Sequence, residues 1–176
     1  MIILGLNVFH ADTSACLVID GKIVSAVEEE RFTRIKHYSG FPRYSIDFCL
    51  KDNNITIDDV DAICVNFNRE YNFKEKLKFL IKKILTINIL TKILLSFKRN
   101  SLAKEFKRNY SINIEDKIFF IPHHISHIAS TFYFHKINEA ISLSVDGSGD
   151  FSTSETYITD KNFKLINKVN YPHSLG

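Results

Sequence analysis

His123 and His127 stand four residues apart, and Asp146 follows in a glycine-rich segment downstream. On a helix, side chains at positions i and i+4 lie on one face, so the two imidazoles can bind one metal ion. The carboxylate of Asp146 can then complete a set of two histidines and one carboxylate. These three residues are therefore candidate metal ligands. Two alternatives stay open: the histidines could simply face solvent, and Asp146 could position a metal-bound water instead of binding the metal. Such a donor set accommodates iron or zinc, and the sequence leaves both open.

The segment after Asp146 offers main-chain N–H groups to an anion. Gly147 and Gly149 allow the backbone to approach a ligand closely, and together with Ser148 they could form a nest for phosphate. An ordinary β-turn is the alternative interpretation, because Asp-Gly is a common turn pair. The position of this segment shortly after the two histidines favours the functional interpretation, in which one site uses both a metal and a nucleotide.

The helix predicted to begin at His123 has an apolar face and a polar face. At the helical period, His123 and His127 project from roughly the side opposite the apolar stripe, and His124 falls on its flank as a candidate supporting or capping group. The apolar stripe consists of Ile125, Ile128, Ala129 and Phe132.

The elements that must position these residues alternate between strands and helices. A three-stranded meander opens the chain, with a strong hairpin turn at Asp20-Gly21. Pro42 suits the first turn of a helix. In chain order, the predicted elements are strands 2–7, 15–19 and 22–28, a helix 42–51, a strand 61–66, helices within 69–108, a strand 117–121, the helix from His123, a strand 140–146, and a hairpin of 155–159 with 163–169.

This order predicts an α/β fold with one mixed sheet flanked by helices, followed by the first strands of a second lobe. It is the plan of the actin-like ATPase (ASKHA) architecture, in which two hairpin turns, one from each lobe, hold a nucleotide. We therefore predict a first lobe over 1–145 with a basic helical insertion at 69–108, and the start of a truncated second lobe over 146–176. A fold-level analogy by itself does not establish the function.

The loop after the first predicted strand contains His10, Asp12, Thr13 and Ser14. An actin-like fold holds phosphate at a short, hydroxyl-rich turn of this kind, so Asp12, Thr13 and Ser14 are candidate nucleotide ligands. His10 could act as a general acid or base near neutral pH, or orient a carbonyl or phosphoryl oxygen. A single histidine in a loop is more often incidental, and that alternative stays open.

Two charged stretches each allow two interpretations. The run 28–37 is either a solvated loop or a site where Arg31, Arg34 and Lys36 bind a phosphate-bearing substrate. The stretch 69–108 holds twelve Lys or Arg against three Glu, an excess of nine positive charges, which leaves the remainder at −6 within a total of +3. Its helical spacing predicts one or two amphipathic helices. Their basic face is either solvated or docks on an anionic membrane surface or substrate.

The composition is that of a globular chain of 176 residues, with 45% hydrophobic and 24% charged residues. No apolar run approaches the roughly 18 to 20 residues of a membrane span, and the first residues lack a signal-peptide pattern. Cys16, Cys49 and Cys64 lie in apolar segments without ligand spacing, which predicts buried, reduced thiols and a cytoplasmic protein. No module for sequence-specific nucleic-acid binding is recognisable.

Several segments together resemble the O-carbamoyltransferases, a family that modifies nodulation factors, cephalosporins, aminoglycosides and related sugars or antibiotics. Two segments resemble the opening of that family, and the others resemble its metal-binding helix, its phosphate turn and the segment that follows. The resemblance runs from end to end except for 69–108. The segments that carry it are Gly5–Ala15, Val27–His37, His123–Phe132, Val145–Asp150 and Pro172–Gly176.

The resemblance implies an actin-like lobe that is related to the tRNA threonylcarbamoyl transferase and is normally joined to a C-terminal YrdC-like domain. In the family, the YrdC-like part makes carbamoyl-adenylate from carbamoyl phosphate and ATP. The actin-like part then transfers the carbamoyl group to a hydroxyl of a small-molecule acceptor, using bound Fe(II). When the family's functional residues are carried over by position, the resemblance implies that His123, His127 and Asp146 are the metal ligands. It likewise implies that His10 is the catalytic histidine near the carbonyl and that 147–149 bind the nucleotide phosphate.

The 176 residues stop before a further family metal ligand, most of the adenosine pocket and the YrdC-like domain. We therefore expect that the chain alone does not catalyse the overall reaction. Two alternatives stay open: a threonylcarbamoyl-tRNA-type or other actin-like transferase, and a non-catalytic lobe that binds metal or a partner. The charged run 28–37 favours the small-molecule branch, while the acceptor itself is not determined.

Overall fold

The computed structural model describes residues 1–83, 102–135 and 137–174. They form two compact units. The first unit contains the described residues 1–66 and 102–120, and the second contains 67–83, 121–135 and 137–174.

The described elements alternate much as the sequence predicts. The strands are β1 Ile2–Asn7, β2 Ser14–Ile19, β3 Lys22–Glu28, β4 Ala62–Val65, β5 Ile118–Phe120, β6 Ala140–Gly149, β7 Ser152–Thr159 and β8 Phe163–Asn170. The helices are α1 Glu30–Thr33, α2 Arg43–Asp52, α3 Phe73–Lys83, α4 Leu102–Tyr110 and α5 His123–Phe132.

The first unit is built on a five-stranded mixed sheet in the order β3-β2-β1-β4-β5. The opening meander pairs antiparallel, and β4 pairs in parallel with both β1 and β5. Asp20 and Gly21 both have positive φ angles at the first hairpin, as a type I′ turn requires. The predicted fold class, a mixed α/β sheet flanked by helices and followed by strands of a second sheet, is confirmed.

The core of the first unit lies between this sheet and α2, which packs on β2 and β3. Leu4, Leu17 and Ile63 on the sheet and Ile46 on the helix are fully buried. These aliphatic side chains come from alternate positions on the strands, so one face of the sheet and one face of the helix exclude water together.

Glu29 is buried in the first unit although it belongs to the charged run 28–37. Its carboxylate accepts hydrogen bonds from the backbone N–H groups of Tyr44 (3.1 Å) and Ser45 (2.7 Å) and from the Ser45 hydroxyl (2.7 Å). A carboxylate here satisfies N–H groups in the first turn of α2 and complements the helix dipole. Arg31 instead lies exposed beside Glu28.

The second unit contains the three-stranded antiparallel sheet β6-β7-β8, on which α5 packs. The central strand β7 is buried and largely polar. The Glu155 carboxylate accepts hydrogen bonds from the hydroxyls of Tyr157 and Tyr71, the latter at 3.2 Å. The Thr153 hydroxyl donates to the Val169 carbonyl at 3.2 Å. Internal partners of this kind offset the desolvation of these groups.

The strand predicted at 140–146 belongs to this second sheet, where β6 pairs with β7. Sequence reasoning placed it in the first lobe, because helix-strand alternation continues through it. In the structure, β6 has no pairing with the five-stranded sheet among the described residues. The lobe bounds 1–145 and 146–176 themselves stay a prediction.

The basic stretch 69–108 is helical at both ends, in α3 and α4, as predicted. Residues 84–101 lie outside the described residues. On α4, Leu102 and Phe106 are buried while Lys107 is exposed, so this helix is amphipathic. The prediction that the stretch contacts an anionic surface is not tested. No helix in the described part of the chain has the length and apolar character needed to cross a membrane.

The three cysteines are free thiols, with Cys49 fully buried and Cys16 and Cys64 half-buried. Burial raises the pKa of all three thiols above the ordinary cysteine value. A raised pKa lowers the thiolate fraction, and the thiolate is the reactive form.

We therefore expect dithionitrobenzoate to label the native chain slowly at about pH 8, with Cys49 slowest, because little thiolate forms and the sulfur is covered. The same chain in denaturant provides the control and should release three equivalents of thionitrobenzoate, one for each of the three thiols. Labelling of native Cys49 as fast as in denaturant would contradict the burial described above.

Candidate metal centre

Helix α5 places its first and fifth residues, His123 and His127, one turn apart on the same side. The side chain of His123 is 15% exposed and that of His127 is 53% exposed. The helix buries His124, Ile128 and Phe132, which follow one another at intervals of four residues. The two candidate ligands lie beside this buried row, and His123 itself contacts Asp146 and Gly149 on β6.

The predicted position of His124 on the flank is wrong, because the structure buries it to 1% exposure. Its Nδ1 lies 2.8 Å from the Ser144 hydroxyl on β6. This hydrogen bond to a neighbouring strand offsets part of the cost of burying an imidazole. Ile125, which the helical period placed in the apolar stripe, is half-buried.

Strand β6 carries Asp146 beyond a break in its register with β7. The pairing is regular up to Val145 and resumes at Gly149, so that 146–148 form an irregular, bulged segment. The sequence placed the turn directly after Asp146. The structure instead places the two-residue turn at Asp150 and Phe151, whose φ angles are 52° and 73°. In a regular strand, successive side chains point alternately to the two faces of the sheet. The bulge interrupts this alternation at Asp146.

Three ligand atoms converge at this point. The Asp146 Oδ2 atom lies 2.9 Å from the Nε2 atom of His123 and 3.9 Å from that of His127. The two Nε2 atoms are 3.0 Å apart. All three ligand atoms thus lie within 4.8 Å of one another, as the sequence prediction requires.

These separations fit a first-row metal ion. Ligand atoms about 2.1 Å from a metal are separated by about 3.4 Å in tetrahedral geometry and about 3.0 Å in octahedral geometry. The observed spacings of 2.9 to 3.9 Å bracket both values. Two imidazole nitrogens and one carboxylate oxygen are also suitable ligands for iron or zinc.

The environment favours the ligating protonation states of His127 and Asp146. Burial, followed by the proximity of His123, lowers the pKa of His127 below its ordinary value, so the neutral imidazole is favoured. Burial raises the pKa of Asp146, but hydrogen bonds from the Gly147 N–H and from His123 outweigh it, so the net pKa is lowered. A neutral imidazole and an ionised carboxylate are the forms that bind metals.

Solvent reaches this cluster from the side of His127. A cleft of about 470 Å³ opens between α5 and β6 and includes His127 in its wall. Hydroxyl groups of Ser130 and Thr131 and aliphatic side chains of Leu143 and Val145 form other parts of the lining. A small ligand could therefore approach His127 from the cleft.

Gly149 packs directly against His123. A Cβ atom at this position would lie 2.0 Å from the Cδ2 atom and 2.4 Å from the Cγ atom of the imidazole, far inside van der Waals contact. A Cβ at Gly147 would meet nothing within 4 Å. The two glycines predicted as phosphate ligands therefore differ, because only Gly149 lies at a close approach of α5 to β6. Their phosphate role, with that of Ser148, stays a prediction.

The other predicted site residues lie in the loop between β1 and β2, in the first unit. His10 is exposed, and the Asp12 carboxylate lies 2.9 Å from Nδ1 of His37. Thr13 is buried, and its hydroxyl donates to a backbone carbonyl. Ser14 opens β2. Sequence reasoning did not identify the Asp12–His37 contact, since its two residues are 25 positions apart. The proposed roles of these loop residues stay predictions.

A family model described as the carbamoyltransferase N-terminus matches residues 2–176. The chain belongs to this carbamoyltransferase family. The match includes the segment of α5 and β6 that carries the three converging residues. The resemblance on which the sequence analysis relied is therefore confirmed, and the chain is a member of a transferase family.

Relatives of this carbamoyltransferase chain include much longer proteins. The nodulation protein NolNO of Sinorhizobium fredii is 34% identical over 148 residues, which cover 84% of this chain and 21% of that protein. An uncharacterised protein of Synechocystis is 31% identical over 199 residues, which cover 99% of this chain and 30% of that protein. The chain thus spans less than a third of the length of these relatives.

Among solved structures, the chain is similar to YeaZ from Pseudomonas aeruginosa, with a TM-score of 0.46 and 10% identity. The similarity covers 98% of this chain and 68% of that one.

We expect Gly149→Ala to weaken metal binding by at least about tenfold, because the added methyl group displaces the His123 ring from the cluster. Gly147→Ala is the matched control, since it adds the same methyl group in open space. Affinity is measured by titration with Co²⁺ followed by visible absorption. Equal affinities of the two variants would contradict the inferred role of Gly149.

Proposed function

We propose that this chain is the N-terminal, metal-binding part of a carbamoyltransferase that moves a carbamoyl group to a hydroxyl of a sugar or antibiotic-like small molecule. The donor would be carbamoyl-adenylate, made from carbamoyl phosphate and ATP by a C-terminal YrdC-like domain. The convergence of His123, His127 and Asp146 in a chain of this family is the observation that carries the proposal.

Each of the three residues has a definable task in such a site. His123 and His127 would present Nε2 atoms from one rigid helix, so the distance between them is set by the helical repeat. Asp146 would contribute a negative charge from β6. Fe(II), or zinc in its place, would supply a Lewis acid that polarises the carbamoyl carbonyl.

His10 and the segment 147–149 complete the proposal. In the transfer from carbamoyl-adenylate, the acceptor oxygen attacks the carbonyl carbon and loses its proton, while the bond from that carbon to the phosphate oxygen breaks and AMP leaves with the negative charge. His10 would accept that proton or donate a hydrogen bond to the carbonyl oxygen, as an imidazole can near neutral pH. Backbone N–H groups of 147–149 would bind phosphate, and the hydroxyl-bearing loop 12–14 is proposed separately as a nucleotide ligand.

The metal assignment predicts that His127→Ala loses most of its bound metal while the fold stays intact. The residue is half-exposed on the polar side of α5, so removing its imidazole leaves no buried cavity. Metal content is measured by elemental analysis of anaerobically purified chain, with circular dichroism to check the fold.

His135→Ala is the matched control for this experiment, since His135 follows α5 and contacts a backbone carbonyl of the same helix. It should retain the metal content of the wild type. Unchanged metal stoichiometry in His127→Ala would refute the ligand assignment.

The transfer itself is tested in a chimera in which this chain replaces the matching region of NolNO. We expect transfer of label from ¹⁴C-carbamoyl phosphate to a hydroxylated acceptor, chosen from a panel of sugars and aminoglycosides, in the presence of ATP. The double variant His123→Ala/His127→Ala should form no labelled product. Chelation of the metal in the unsubstituted chimera should also abolish the product, and adding the metal back should restore it. Undiminished transfer by the double variant would contradict the proposed role of the metal centre.

A further inference from the structure

The N-terminus of α5 requires a hydrogen-bond acceptor from elsewhere in the chain. The first N–H groups of a helix have no partner within it, and a side chain at the N-cap usually accepts from one of them. Here the N-cap is Pro122, which makes no such side-chain hydrogen bond. The first helical residue is His123, so the backbone that must be satisfied belongs to a candidate metal ligand.

Asp150 supplies that acceptor from the turn between β6 and β7. Its Oδ2 atom accepts the backbone N–H of His123 at 2.8 Å. The same oxygen accepts the backbone N–H of Asn68 at 2.9 Å, across 82 positions of the chain. Hydrogen bonds to an ionised carboxylate are stronger than those between neutral groups, and a negative charge at this end of the helix complements its dipole.

The turn that carries Asp150 is itself held from the side of α3. The side-chain amide of Asn72 donates to the main-chain carbonyl of Asp150 at 3.3 Å. The neighbouring Phe151 ring packs edge-on against Phe79 of α3, with centroids 5.4 Å apart. Asp150 is therefore fixed through its main chain while its carboxylate holds the helix.

The connection matters for the metal centre because its ligands come from two elements. His123 and His127 lie on α5, whereas Asp146 lies on β6, four residues before Asp150. Asp150 joins the tip of that hairpin to the first residue of the helix. Its carboxylate does not belong to the ligand cluster found among the described residues. Its contact with the centre is through the His123 backbone.

We propose that Asp150 is a positioning residue for the metal centre, holding His123 at the distance from Asp146 that metal binding requires. The inference rests on the proposed function, since it needs a metal bound by the three residues. Asp150 lies outside the set of three candidate ligands but would contribute to the metal affinity of the site. Residues that orient metal ligands typically contribute about 10- to 100-fold to metal affinity.

The test is a Co²⁺ titration of the full chain as wild type, Asp150→Asn and Asp160→Asn, followed by visible absorption. Asparagine keeps the shape of the side chain and tolerates the positive φ angle, but it loses the charge. Asp160 is the matched control, because it also lies at a hairpin turn of this sheet and accepts a backbone N–H, that of Asn162.

We expect Asp150→Asn to weaken Co²⁺ binding by about tenfold or more and to change the Co²⁺ absorption bands, while Asp160→Asn does neither. A residue with a merely structural role would lower the melting temperature and leave the Co²⁺ affinity and spectrum of the folded chain unchanged. That result for Asp150→Asn, in a wild type that binds Co²⁺, would overturn this inference and leave the proposed function standing. Absence of Co²⁺ binding by the wild type would overturn both.

Amide hydrogen exchange in the wild type tests the contact without any substitution. The His123 N–H lies at the first helical position, where intrahelical protection is absent. If Asp150 holds it, the His123 amide exchanges more slowly than in an unstructured peptide. Exchange of this amide at the unstructured rate would overturn the inference even if Asp150→Asn failed to fold.

Discussion

The candidate metal centre depends on one close contact, in which the ring of His123 lies against the main chain of Gly149. Two ligands come from a helix and the third from a strand, and packed elements approach only as far as the groups between them allow. Glycine leaves room for the imidazole, so α5 approaches β6 until His123 and Asp146 are within hydrogen-bonding distance. Because helix and hairpin each hold their shape through their own hydrogen bonds, they bring the ligand atoms of the three residues within 4.8 Å of one another.

The parts of the fold and site that could be predicted from the sequence have signals within a few residues. The turn at Asp20-Gly21, the proline before α2 and the spacing of His123 and His127 specify local geometry, and each is found in the structure. The sequence also predicted that Asp146 lies near the histidines, because its strand follows their helix after a short connection. Its exact environment could not be predicted, because a register break between two strands has no simple residue pattern.

Polar burial was the least predictable property, because it depends on partners far along the chain. His124 is buried and hydrogen-bonded to Ser144, 20 positions away, although helical periodicity placed it beside the apolar stripe. Glu29 is buried and hydrogen-bonded to Ser45, 16 positions away, although its neighbours Glu28 and Glu30 are charged and only half-buried. In both cases a hydrogen bond from another element offsets the cost of removing the group from water. A hydrophobic pattern alone assigns such residues to the surface.

The short distance along the chain between His123 and Asp146, 23 positions, has a consequence for folding. The entropy lost on closing a loop grows with its length, so contacts between α5 and the β6–β7 hairpin form at low cost. The parallel pairing of β1 with β4 joins residues about 59 positions apart. Contacts of high sequence separation form slowly in folding. We therefore expect the three candidate ligands to be brought together early in folding, ahead of the long-range strand pairing in the first unit.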